Sequence, residues 1–122
     1  PFTQDLHPLS DGPVDASRRT VERACADFVA CRHNGRGAAF RALEYALALE
    51  EIDRIVLVPD GSPTGGRRWE IDRIVDLLLA RTRLRPVTFD VLLDGASKGI
   101  VRRWRRLPGS TGGRTVAVDA PR

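Results

Sequence analysis

Three aspartates stand directly behind runs of strand-forming residues: Asp60 after Ile55-Val56-Leu57-Val58-Pro59, Asp94 after Val91-Leu92-Leu93, and Asp119 after Val116-Ala117-Val118. Carboxylates gathered on one edge of a sheet can hold Mg²⁺ or Mn²⁺ and activate water for phosphodiester cleavage. Asp60, Asp94 and Asp119 are therefore the expected catalytic set of a metal-dependent enzyme. The segments that follow two of these acids supply the opposite chemistry. Asp60-Gly61-Ser62-Pro63-Thr64-Gly65-Gly66-Arg67-Arg68 lies between a strand and a helix, where backbone amides and a helix N-terminus favour anions and paired arginines add forked donors. Asp94-Gly95-Ala96-Ser97-Lys98 echoes it in shorter form. The expected anion-binding set is Ser62, Thr64, Gly65, Gly66, Arg67, Arg68, Ser97 and Lys98.

Ordinary structural roles compete for the same residues. Ser62 followed by Pro63 reads as a helix cap with proline at the first helical position, and aspartates after strands are common turn formers. The glycine spacing imitates a phosphate loop, but Arg67 and Arg68 stand where the lysine and the magnesium-holding hydroxyl belong. A nucleotidase of that type is therefore not expected.

Asp60-x-Ser62-x-Thr64 resembles the metal-ion-dependent adhesion motif of von Willebrand factor A-type domains, and Gly112-Gly113-Arg114-Thr115 resembles that family's later threonine loop. The resemblance covers two short pieces and implies Mg²⁺ held at a sheet edge. Asp60-Gly61 and Asp94-Gly95 resemble the strand-end acids of PIN-like nucleases, which implies metal-dependent cleavage of nucleic acid, although no further acidic cluster follows. Cys31-Arg32-His33-Asn34-Gly35-Arg36 resembles a rhodanese sulfur-transfer loop, which implies a thiolate at Cys31 steadied by arginines. Residues 16–33 read as helix rather than as the strand such a loop needs. His7 and His33 have no partner at metal-ligand spacing.

The elements that position these groups follow from periodicity. Residues 1–14 hold Pro1, Pro8, Gly12 and Pro13 without a period and read as a flexible arm, leaving 15–122 as one domain. Val21, Ala24, Cys25, Phe28 and Val29 form a helical stripe, capped by Asp15 or Ser17 and ended by Asn34-Gly35. A second helix runs from about Gly37 to Glu51, with Phe40, Leu43, Ala46 and Leu47 inward and Glu44, Glu50 and Glu51 toward water. Ile55 to Val58 is a short apolar strand. Ile71, Ile74, Val75 and Leu78 define a third helix that Pro86 stops, and Val87, Phe89, Val91 and Leu93 alternate as a second strand. A fourth helix starts at Lys98, buries Trp104 and closes at Pro108-Gly109, and Thr115 to Val118 is the last strand. The order α-α-β-α-β-α-β predicts an α/β fold: a small parallel sheet of about three strands with helices on both faces, the two N-terminal helices covering part of it.

Composition narrows the function class. Residues 1–60 carry a net charge of −3 and residues 61–122 one of +7, with Lys98, Arg102, Arg103, Arg105 and Arg106 the densest run. That favours a polyanion or an acidic protein as partner. The 19 arginines against one lysine point to a GC-rich, bacterial genome. Cys25 and Cys31 would lie about 9 Å apart along one helix, too far to bridge, so they read as free thiols of a reducing compartment. No apolar run is long enough to cross a membrane and no leader is evident, so the expected location is the cytoplasm. Absence of methionine suggests a fragment of a longer protein. The reading that uses most of these features is a non-catalytic regulatory or protein-interaction domain of a larger bacterial protein. It would bind a protein partner or the rest of its parent chain, with an anionic ligand or nucleic acid at its basic loop edge. It needs no cofactor. The alternative is a nuclease or phosphoesterase using the three aspartates with Mg²⁺ or Mn²⁺.

Overall fold

The structure, a computed structural model, describes residues 8–30, 37–59, 62–64 and 68–118. Its elements are α1 (Arg18–Ala30), α2 (Ala39–Ala48), β1 (Arg54–Leu57), α3 (Ile71–Thr82), β2 (Thr88–Asp94), α4 (Lys98–Trp104), α5 (Arg106–Thr111) and β3 (Thr115–Val118). The three strands form one sheet in the order β1-β2-β3, with both pairs parallel. The α/β order expected from periodicity is thus the observed one, its fourth helix broken once at Arg105.

Strand order decides which face is covered. Two successive right-handed crossovers that advance in one direction put α3 and the α4–α5 pair on the same side of the sheet. The side chains agree: Leu57, Phe89, Val91 and Leu93 are buried with Ile71, Ile74, Val75 and Leu78 of α3 and with Trp104 and Leu107. Phe40 and Leu43 of α2 join this cluster, and Arg81 of α3 donates to Glu44 of α2 at 2.7 Å. Glu44 therefore faces a neighbouring helix rather than only water. Helix α1 buries no residue. Of the two N-terminal helices, α2 supplies the buried cover seen among the described residues.

Three local expectations change. Helix α3 begins at Ile71 with Glu70 as an N-cap that makes no side-chain bond, so Ser62 does not cap it and Pro63 is buried in the preceding loop. Pro108 does not close the fourth helix. The helix bends at Arg105 and restarts, which places Pro108 in a new first turn where no amide is missed. Closure falls at Gly112, in the left-handed region at φ 77°. Gly113 then passes so close to β2 that an added Cβ would lie 1.8 Å from the Phe89 carbonyl oxygen. The Gly112-Gly113 pair is a joint between helix and strand.

Candidate functional site

Parallel pairing brings the trailing ends of the strands to one edge. Leu57 lies opposite Val91, and Asp94 lies opposite Val118. At the end of β2 the chain turns through Gly95 at φ 60°, and its amide donates to the Val118 carbonyl at 3.0 Å. Asp94, exposed beside that turn, has the setting of a turn former. Asp60 and Asp119, the other two predicted acids, lie outside the described residues, as do Gly65, Gly66, Arg67 and the Cys31 loop.

The predicted anion-binding residues that are described divide by role. Ser62 and Thr64 are exposed in the first loop. Arg68 is half-buried with its guanidinium carbon 4.9 Å from the centroid of the Phe40 ring, a cation–π contact that ties the loop to α2. Ser97 caps α4, its hydroxyl accepting from the Ile100 amide at 3.5 Å, and Lys98, exposed, opens that helix. A shallow pocket of about 220 Å³ between Arg68, Trp69, Glu70 and Arg73 lies at the start of α3.

The basic run on α4 and α5 is only partly available. Arg106 donates to Asp76 at 2.7 Å and to Asp72 at 3.3 Å, and Arg103 lies 3.8 Å from Asp72. The hydrogen bond to Asp76, with its charge and then that of Asp72, raises the Arg106 pKa above the ordinary arginine value. These two arginines clamp the helices together. Arg102 and Arg105 are exposed and form no ion pair among the described residues.

The second face of the sheet holds what sequence reasoning missed. By register it carries Val56, Asp90, Leu92, Asp94, Val116 and Val118. Val56 is 62% exposed, Val116 51% and Val118 49%, and Val58 just beyond β1 is 57% exposed. Across this face Asp90 accepts from the Arg114 amide and from Arg54 Nη1, each at 2.7 Å. The backbone bond from Arg114 lowers the Asp90 pKa below the usual carboxylate value; desolvation opposes it, and the Arg54 guanidinium adds to the lowering. One side chain thus joins β1, β2 and the start of β3. The available signal was an acid in the middle of an alternating apolar strand, a position that asks for a partner.

A pocket of about 410 Å³ opens at the opposite, N-terminal edge, between Asp53, Arg54, Thr82, Thr88, Ser110 and Thr111. The Thr111 hydroxyl there is engaged with the Phe89 amide and the Leu107 carbonyl. Among the described residues no polar side chain is buried, no three His, Cys, Asp or Glu side chains gather in a way that could hold a metal, and Cys25 is an exposed free thiol. No described helix is long and apolar enough to cross a membrane. Compared with known proteins, the chain matches no family model and no curated protein.

Proposed function

We propose that this chain is a protein-interaction α/β domain and that another polypeptide docks on the second face of its sheet. The observation that carries the reading is the exposure of Val56, Val58, Val116 and Val118, each between 49% and 62%, on one side of a parallel sheet. Parallel sheets ordinarily have both faces covered, because their strands are apolar on both sides. Apolar side chains left open on such a face suit an interaction surface. The basic residues of the other side fit the same function: Lys98, Arg102 and Arg105, on and just after α4, stand exposed, suited to steering an acidic partner or an anionic ligand by long-range attraction. Such a module suits a regulatory part of a larger bacterial protein.

The test places a benzoylphenylalanine photo-crosslinker at position 116 or 56 in the full chain, with position 84 as control because Leu84 is 91% exposed outside the sheet. Light-dependent adducts are expected from 116 and 56 and not from 84. Equal labelling at all three positions, or none at the sheet positions, would overturn the reading.

A further inference from the structure

We infer that the pocket of about 410 Å³ at the N-terminal edge of the sheet binds a primary ammonium group on a short alkyl stem. Its size lies within the range of about 300–1,000 Å³ usual for small-molecule sites. Its wall is richer in acceptors than in donors. The Thr82 hydroxyl donates to the Leu79 carbonyl at 3.0 Å and the Thr111 hydroxyl to the Leu107 carbonyl at 3.0 Å, so toward the pocket both oxygens can only accept. Thr111 also accepts from the Phe89 amide at 3.1 Å, which leaves it one further lone pair. The Asp53 carboxylate accepts as well, and it forms no ion pair among the described residues. Arg54, the cation among the lining residues, already gives Nη1 to Asp90 at 2.7 Å. Thr88 and Ser110 can serve in either sense. Such a wall calls for a ligand that donates several bonds and accepts none, and a primary ammonium does that.

The fold adds charge of the matching sign. Thr82 is the last residue of α3 and Thr111 the last of α5, so the pocket lies where two helices end, and the partial negative charge of helix C-termini favours a cation. The arginines at this end of α3 have other places. Arg81 donates to Glu44 at 2.7 Å and Arg85 to the Ile52 carbonyl at 3.4 Å, and both line a different pocket of about 170 Å³ beside Leu47 and Ala48 of α2. Arg83, exposed, lines neither. Pro86 and Val87 supply the apolar part of the wall, which suits the methylenes of an alkyl stem. Ligands of open α/β folds usually sit at the C-terminal edge of the sheet, so this site is separate from the loop edge. A lysine side chain of a polypeptide and a free amine present the same chemistry to it.

Titration of the full chain with n-butylammonium chloride, followed by amide chemical shifts, tests the inference. Saturable shifts are expected at Asp53, Thr82, Thr88 and Ser110. Butyltrimethylammonium carries the charge without an N–H, and it should bind about tenfold more weakly, the loss expected when charge-assisted hydrogen bonds go. Sodium chloride at equal ionic strength should give no saturable shift. Asp53→Asn should also bind butylammonium about tenfold more weakly, with the urea midpoint of wild type, because the backbone carbonyl of residue 53 still accepts from the Thr88 amide. Asp94→Asn, at the other edge of the sheet, should bind as wild type. Equal affinity for the quaternary ion, or undiminished binding by Asp53→Asn, overturns the site. N-acetyl-lysine amide and putrescine separate the two sources: tighter binding of the first assigns the ammonium to a lysine of a polypeptide, tighter binding of the second to a free diamine. Absence of saturable shifts with all three amines overturns the site as well.

Discussion

At the scale of single residues, Asp90 and Gly113 do the most that their types can do. Asp90 ties three strands through two 2.7 Å bonds. Because its folded-state pKa lies below the unfolded value, its contribution is present above the unfolded pKa and is lost as pH falls through the folded one. Asp90→Asn should therefore have a lower urea midpoint than wild type at pH 7, and the difference should vanish in acid once the native carboxyl is protonated. A constant gap across the titration would show that charge is not what Asp90 contributes. Gly113 is required by space: a Cβ there would meet the Phe89 carbonyl oxygen at 1.8 Å. Backbone cannot yield as a flexible side chain can, so Gly113→Ala should cost about 3 kcal/mol in chemical denaturation. The Gly-Gly pair that resembled part of a metal loop is explained here by packing.

At the scale of elements, Arg67-Arg68-Trp69 and Arg102-Arg103-Trp104 repeat one sequence pattern, and their tryptophans meet two environments. Trp69 precedes α3 in an open loop and is 59% exposed, while Trp104 ends α4 and is fully buried against the sheet. The difference arises from loop length. Only three residues separate β2 from α4, so the second helix starts at once and carries its tryptophan a turn and a half inward. The longer first connection leaves its tryptophan ahead of the helix. Trp104→Ala should destabilise by roughly 3–5 kcal/mol through the lost contacts and the cavity left behind, whereas Trp69→Ala should change stability by less than about 0.5 kcal/mol. Similar losses at both positions in thermal unfolding would mean that the first loop is packed in solution. The break at Arg105 belongs to this scale as well, since it lets α5 return Leu107 to the core while Arg106 reaches Asp72 and Asp76.

At the scale of the whole molecule, periodicity determined the elements, their order and the parallel sheet. The spacing of Ile71, Ile74, Val75 and Leu78 and the alternation of Phe89, Val91 and Leu93 are local properties that a short stretch of chain displays by itself. The positions that cap and bend were less legible: Ser62-Pro63 and Pro108-Gly109 have the composition of helix boundaries, but neither sits at the boundary expected of it. Where a helix starts depends on which turn finds a surface to pack on, and that surface belongs to other segments. Of the predicted site residues, Ser97 takes the cap its type suggests and Arg68 binds a ring rather than facing solvent alone. The Asp90 bridge was hidden because its partners, Arg54 and Arg114, are 36 and 24 residues away. The apolar residues themselves were read directly from the sequence, but which of them remain outside was a matter for the tertiary structure alone. Val56, Val116 and Val118 of the second face are the same residue type as Val75, Val87 and Val91 of the core. Strand order and crossover hand sent α3, α4 and α5 to one side, and on the other side Val56, Val116 and Val118 stay exposed among the described residues.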